Sequence, residues 1–223
     1  MVEGKKKSAW TRAVVHSSAG WMVLAHLMIG FNDTLLEGLF ISFLVGYFGL
    51  VEFFRLYLTN NSEQIAVRWP RFIAWYKGTW LPFFLKNGVL RESEMHTLTA
   101  SAWYWLGLAA VYFLFPLEVA APAILILAFG DPAARIVGVS IGRPLRLLGG
   151  KSIAGCLGFL LAACVALVAA ILVADQGGWF VLPRREEAYF YAMLVAMVAE
   201  LYGGKYDNLL IPLSAAATLT LMP

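Results

Sequence analysis

The residues most able to do chemistry lie in a short polar stretch, residues 130–155. Asp131 interrupts one apolar run, and Lys151 opens the next after a glycine-rich, basic loop. An ionisable residue inside an apolar segment is costly in a membrane and usually has a function. A carboxylate there suits Mg²⁺, which takes oxygen ligands and substrate phosphates. The alternative is a structural ion pair between Asp131 and Arg135, one helical turn apart.

The residues that follow the two charged positions indicate phosphate binding. Pro132 removes a backbone donor, so we expect the helix to break beside Asp131. Ser152 is a good N-cap, and a helix N-terminus attracts phosphate. Lys151 adds a positive charge to that phosphate, although a basic membrane anchor is the alternative for it. Together these residues predict phosphate and metal chemistry at a membrane surface.

Further polar residues lie near the ends of other apolar segments. Asp207 and Asn208 open the last segment, where they either cap the helix or complete a Mg²⁺–phosphate site, and Glu200 lies in the segment before it. Arg12 and His16 share one helix face. Arginine is a natural phosphate ligand, and His16 is either a proton acceptor or a core histidine.

Two pairs of opposite charge, each three residues apart, have a simpler interpretation. Arg91 and Glu94 form a candidate ion pair at the floor of the site. Glu52 and Arg55 form another, for which we favour a structural role.

The composition defines the elements that must position these residues. The chain is 61% hydrophobic and 14% charged, which predicts an all-α integral membrane protein with a single domain over residues 1–223. The basic residues are spread among loops, so nucleic-acid binding is not indicated. A spanning helix needs about 20 apolar residues, and about seven segments qualify, with six as the alternative. They lie near 13–30, 35–58, 96–115, 118–141, 153–174, 188–203 and 207–222.

The distribution of charge predicts how these helices lie in the membrane. Region 60–92 alternates tryptophan with basic residues, as in amphipathic helices that lie in the membrane interface. With a cytoplasmic N-terminus, all lysines and arginines except Arg184 and Arg185 fall on the cytoplasmic side. The positive-inside rule therefore places the N-terminus, and every candidate site residue, at the cytoplasmic face.

These motifs, in this order, resemble those of the CTP-dependent lipid-alcohol kinases. That family comprises dolichol and polyprenol kinases, phytol kinases and fungal-type diacylglycerol kinases. The resemblance runs from Arg12 to Pro212. It rests on RAVVHSSAG (12–20), LRESE (90–94), LFP (114–116), GDPAARIVGVSIGRP (130–144), KSIAG (151–155) and YDNLLIPL (206–213). Ala13 departs from the pattern, which often has lysine there, and Ala154 replaces a glutamate typical of dolichol kinases.

The resemblance implies transfer of the γ-phosphate of CTP to the hydroxyl of a membrane lipid alcohol, giving a lipid monophosphate and CDP. It implies Asp131, Asp207 and Lys151 as catalytic residues, with both aspartates holding Mg²⁺ or orienting the hydroxyl. The implied nucleotide and phosphate ligands are Arg12, His16, Gly130, Gly138, Gly142, Arg143, Lys151, Ser152, Gly155 and Asn208. The implied supporting residues are Arg91, Glu94 and Glu200.

Two other classes of protein share part of this pattern. Phosphatidate cytidylyltransferases share the Asp131 block and Lys151-Ser152, and would transfer CMP and release pyrophosphate. A non-enzymatic transporter would instead place charged residues through the middle of the membrane. In this sequence the charges crowd one end of the predicted spans, which favours the enzyme.

Overall fold

The computed structural model describes residues 10, 13, 14, 16–25, 34–87, 89–141, 151–177, 182 and 185–222. The regular elements in these ranges are helices, which confirms the all-α prediction. The α-helices are α1 (16–25), α2 (Thr34–Asn60), α3 (Ser62–Arg68), α4 (Pro70–Trp75), α5 (Leu81–Lys86), α6 (Ala100–Leu114), α7 (Leu117–Ser140), α8 (Ile153–Gly177), α9 (Glu186–Tyr202) and α10 (Asp207–Leu221).

A helix overlaps each of the seven predicted apolar segments. Three stretches among the described residues are long and apolar enough to cross a membrane: Ile41–Asn60, Leu117–Ser140 and Ile153–Gln176. Helices α6, α9 and α10 have 15, 17 and 15 residues and are shorter than a typical span. The chain is thus a helical membrane protein, and the count of about seven spans stays a prediction.

Helix α7 lies at the centre of the bundle. Residues 119–128 are all buried, and the helix packs against α8 most extensively and against α10 next. A helix that is buried on all sides needs apolar residues around its whole circumference, and the first half of α7 has them. Its second half carries Asp131 into the same packed environment.

The predicted break beside Asp131 is wrong, because α7 continues through Pro132 to Ser140. A proline inside a helix removes a single backbone donor, and the helix also contains Pro122. Packing of α7 against α8 and α10 supplies stabilisation that an isolated segment would lack. Asp131 is therefore held on a continuous helix rather than on an irregular loop.

The contact between α6 and α10 depends on a missing side chain. A Cβ atom at Gly107 would lie 2.6 Å from the backbone oxygen of Asn208 and 3.2 Å from the Cα of Leu209. Because backbone atoms cannot turn aside as a flexible side chain can, only glycine allows this separation of the two helices. The close approach brings α10, which carries Asp207 and Asn208, against α6.

We expect Gly107→Ala to lower the free energy of unfolding by about 1–3 kcal/mol, the usual cost of overpacking. The matched control is Gly46→Ala on α2, where the added Cβ would meet nothing within 4 Å. That control should be neutral or stabilising by up to about 1 kcal/mol, since alanine is the better helix former. Thermal unfolding in detergent measures both, and equal midpoints for the two variants would show that the α6–α10 contact can relax.

Residues 62–86 form short helices instead of one long one. Helices α3 and α4, a π-helical turn (Tyr76–Trp80) and α5 follow one another, with Trp69, Trp75 and Phe83 exposed. Tyr76 attaches this region to α2, because its hydroxyl lies 2.7 Å from the Oγ1 of Thr59. Exposed aromatic rings on short helices agree with the predicted position in the membrane interface.

Candidate functional site

The first part of the site is a buried pair formed by His16 and Asp131. The Nδ1 of His16 lies 3.2 Å from the Oδ2 of Asp131, and both residues are 2% exposed. They are 115 positions apart in the sequence. The pair between Asp131 and Arg135 that sequence spacing offered as an alternative is not formed among the described residues. Asp131 is thus anchored to α1, and Arg135 on α7 is not paired with it.

Tyr104 holds the imidazole of His16 and was not identified from the sequence. The two rings stack with centroids 4.5 Å apart and planes 21° apart. The Tyr104 hydroxyl also donates a hydrogen bond to the backbone oxygen of His16. A tyrosine inside an apolar span needs a hydrogen-bond partner for its hydroxyl. This requirement is the feature of the sequence that could have identified Tyr104. Tyr104 fixes the orientation of the ring that contacts Asp131.

The second part of the site is Lys151, held between two carboxylates from different helices. Its ammonium donates to Oε1 of Glu200 on α9 and lies 3.4 Å from Oδ2 of Asp207 on α10. Burial lowers the pKa of Lys151, but the neighbouring carboxylates raise it by more, so the pKa lies above the ordinary lysine value. Lys151 therefore carries its positive charge throughout the physiological pH range.

Asn208 contributes a buried acceptor that has no hydrogen-bond partner among the described residues. It is 1% exposed, and its Nδ2 donates to the backbone oxygen of Ala100 over 3.0 Å. Its Oδ1 has no hydrogen-bond partner within the described parts of the chain. Leaving such an atom unsatisfied costs about 1–3 kcal/mol, and functional sites are where such atoms are retained. Asn208 has one oxygen free to accept a hydrogen bond or contact a cation.

Asp207 does not cap α10, although capping was the alternative role for this pair. The N-cap residue is Tyr206, and no side chain makes a capping hydrogen bond there. The Oδ1 of Asp207 instead accepts from the backbone N–H of Asn208 over 2.8 Å. Its Oδ2 faces Lys151, so the carboxylate points into the charged cluster.

Ser152 and the glycines around it lie where α7 packs against α8. The Ser152 hydroxyl accepts from the backbone N–H of Gly155 over 3.1 Å, the expected N-cap of α8. A Cβ at Gly155 would lie 2.9 Å from the Ala134 oxygen, and one at Gly138 would lie 3.2 Å from Ser152 Oγ. Gly130 faces the ring of Phe159 in the same way. These glycines bring the helix start that carries Lys151 against α7.

The Glu52–Arg55 pair has the structural role expected of it. Arg55 donates two hydrogen bonds of 2.8 Å to the Glu52 carboxylate. It also donates to the backbone oxygens of Glu94, Met95 and Thr97, and so fixes the loop before α6.

Arg91 and Glu94 form only a loose ion pair. The Nε of Arg91 is 4.0 Å from Oε1 of Glu94, and half of the arginine side chain is exposed. The carboxylate of Glu94 accepts instead from the backbone N–H groups of Arg91 and Ala100. Because Ala100 accepts from Asn208, Glu94 supports the site through the start of α6.

The remaining predicted site residues, Arg12, Gly142 and Arg143, lie outside the described residues.

The two parts of the site are close enough for their charges to interact. Asp131 acts electrostatically on both Lys151 and Asp207, although it contacts neither. Buried charged side chains among the described residues come from α1, α2, the loop before α6, the second half of α7, the end of α9 and the start of α10, and all lie at one end of the bundle. A pathway through the membrane, as a transporter needs, is not formed by these buried charges.

The charges of this cluster fit a divalent cation that also binds substrate. In the described part of the chain, no group of three or more histidine, cysteine, aspartate and glutamate residues is arranged to hold a metal by itself. Mg²⁺ commonly takes one or two protein carboxylates and completes its shell with water and substrate phosphates. Such a partial set is available here from the Asp131 and Asp207 carboxylates, with Glu200 beside Lys151 and an Asn208 oxygen that has no partner among the described residues.

The fold and the site define a helical membrane protein with a buried acid–lysine cluster at one end. Similarity to curated proteins indicates a more specific class of membrane protein. The chain is 28% identical over 147 residues to a CTP-dependent diacylglycerol kinase 1 of Eremothecium gossypii, covering 66% of this chain and 41% of the relative. It is 27% identical over 155 residues to the protein of the same name from Schizosaccharomyces pombe, covering 69% of this chain and 62% of the relative. These similarities confirm the resemblance to CTP-dependent lipid kinases.

The chain thus spans less than two thirds of the length of each of these relatives. No family model matches the chain, and no solved structure is a significant match.

Proposed function

We propose that this protein is a CTP-dependent lipid kinase, which transfers the γ-phosphate of CTP to the hydroxyl of a membrane lipid alcohol. The observation that carries the proposal is the convergence of Asp131, Lys151, Glu200 and Asp207 from three helices and one loop at one end of the bundle. The relatives named CTP-dependent diacylglycerol kinase support the nucleotide and the class of acceptor.

The chemistry needs alignment and neutralisation of charge more than covalent catalysis. The lipid hydroxyl oxygen attacks the γ-phosphorus, the bond to the β–γ bridging oxygen breaks, and its electron pair leaves with CDP. The hydroxyl proton passes to one of the two aspartates, Asp131 or Asp207. Lys151, whose positive charge is permanent at neutral pH, neutralises the phosphate, and Asn208 Oδ1 is free to orient the hydroxyl.

Mg²⁺ is the cation that this arrangement suits. Asp207 and Asp131 are the proposed ligands, with Glu200 close by and phosphate oxygens completing the shell. When bound, the ion would neutralise the triphosphate oxygens and so reduce the repulsion between the nucleotide and three buried carboxylates. Because Asp131, Glu200 and Asp207 are all buried, a divalent cation would offset their charge as well as that of the triphosphate.

Removal of divalent cations is therefore expected to reduce phosphate transfer to background. Purified protein in detergent is treated with EDTA and assayed with CTP and lipid, and Mg²⁺ is then added back. Activity should return with Mg²⁺ and not with an equal concentration of Na⁺. Undiminished transfer after exhaustive chelation would contradict a metal-dependent site.

The acceptor is proposed to be diacylglycerol first, with polyprenol, dolichol and phytol as the other candidates that the motifs suggest. We propose that the lipid tail lies between helices while its hydroxyl reaches a site at the cytoplasmic end; the distribution of lysine and arginine supports this location. A panel of these lipids, each assayed with CTP and with ATP, tests the proposal. Phosphorylation of one alcohol with CTP as the better donor supports it, and transfer to none of them contradicts it.

The proposal also covers how the chain crosses the membrane. We propose a single membrane domain over residues 1–223 with about seven spans, a cytoplasmic N-terminus and an interfacial region at 60–92. The positive-inside distribution of lysine and arginine supports this orientation.

A further inference from the structure

Arg135 is a charged residue of α7 that takes no part in the contacts of the site described above. It lies on α7 four residues after Asp131, so the two side chains project from one face of the helix. This spacing places Arg135 about 6 Å nearer the end of α7 that leads to Lys151. A ligand that approaches from this end of the bundle meets Arg135 before it meets Asp131.

The guanidinium of Arg135 is half-buried and forms no hydrogen bond or ion pair with the described residues. The carboxylates that could pair with it are engaged elsewhere, because Asp131 contacts His16 and Asp207 contacts Lys151. A half-buried arginine without a partner among the described residues would be stabilised by a bound anion.

Arg135 is also close enough to the acidic residues of the site to interact with them electrostatically. Its charge acts on Asp131 and on Asp207, which belong to the two separate parts of the acidic cluster. A planar guanidinium donates two parallel hydrogen bonds to a phosphate, which a lysine cannot do. Lys151 is already shared between two carboxylates, whereas Arg135, a described cation near the site, makes no ion pair with the described residues and can engage a phosphate directly.

We propose that Arg135 binds the polyphosphate of the phosphate donor. The inference rests on the proposed kinase function, and it extends that function to a residue outside the resemblance-based set. It assigns Arg135 to the donor rather than to the lipid, because the residue lies beside the carboxylates proposed to hold the metal–phosphate complex.

The test compares Arg135→Gln with Arg135→Lys and with the control Arg71→Gln, which removes an exposed arginine on α4. We expect Arg135→Gln to raise KM for CTP about 10- to 100-fold, the effect of losing hydrogen bonds to a charged group. KM for the lipid should stay unchanged. Arg135→Lys should fall between, since it keeps the charge and loses the two-pronged geometry. Arg71→Gln should match the wild type.

A second measurement keeps the inference separate from the proposed function. Inorganic triphosphate with Mg²⁺ should raise the thermal midpoint of the wild type, because a ligand that binds the folded state stabilises it. The same addition should raise that of Arg135→Gln much less. A smaller rise in Arg135→Gln would support the phosphate site even if the wild type transferred no phosphate from CTP. The lack of transfer would refute only the kinase activity.

An unchanged KM for CTP in a folded Arg135→Gln protein would overturn the inference, as would an undiminished triphosphate shift. If Arg135→Gln failed to fold, Arg135→Lys would decide the matter. A folded lysine variant with a raised KM for CTP supports the role, and one with wild-type kinetics overturns it.

Discussion

Asp131→Asn is expected to lower phosphate transfer by at least about 100-fold while the protein stays folded. A preorganised charge aimed at the reacting phosphate typically contributes that much or more. Asparagine has nearly the same volume as aspartate and keeps a hydrogen bond to His16, which lies 3.2 Å from the carboxylate. The substitution therefore removes the negative charge without opening a cavity in the packed second half of α7. Initial rates with saturating CTP and Mg²⁺ measure the effect.

The matched control is Asp175→Asn, which removes an exposed acid at the other end of α8 from Lys151. It should leave the rate within about twofold of the wild type, since exposed substitutions usually have small effects. Thermal unfolding of both variants separates activity from stability. A folded Asp131→Asn protein with near-normal turnover would exclude Asp131 from metal binding and from proton transfer.

Lys151→Met is expected to reduce both activity and stability. It removes the cation that Glu200 and Asp207 share and leaves two buried carboxylates without compensation. Breaking such a pair destabilises the fold by on the order of 2 kcal/mol, because the remaining charges stay buried. Transfer should fall by about 100-fold or more if the ammonium also neutralises phosphate.

A second substitution separates these two effects. In Lys151→Met/Glu200→Gln one of the uncompensated charges is gone, so the thermal midpoint should recover toward that of the wild type. Activity should not recover, because the phosphate still lacks its cation. If the double variant regained both stability and turnover, Lys151 would be a structural residue only.

Much of the fold follows from the sequence, because the physical cause is local. Apolar runs of membrane length mark the helices, and α7 and α8 end within a few residues of the predicted bounds. The break at Pro132 was predicted and is wrong. Its absence depends on how α8 and α10 pack along α7, and this packing is not visible in the sequence of α7 alone.

The site shows the same division between local and distant causes. The sequence marks Asp131, Lys151, Glu200 and Asp207 as candidates because charged residues beside apolar runs are unusual. It does not show that Asp131 contacts His16, since helical spacing favours the neighbouring Arg135. Tyr104 was missed for a related reason, because its role appears only when α6 is placed against α1. Contacts between distant segments need the three-dimensional packing.

The central claim is that the γ-phosphate of CTP is transferred to a lipid hydroxyl. The direct measurement incubates the purified protein with Mg²⁺, diacylglycerol and CTP labelled at either the γ- or the α-phosphate, followed by extraction of the lipid. The account predicts label in the lipid from γ-labelled CTP only, with CDP as the other product. Label from the α position, with release of pyrophosphate, would contradict it and identify a cytidylyltransferase.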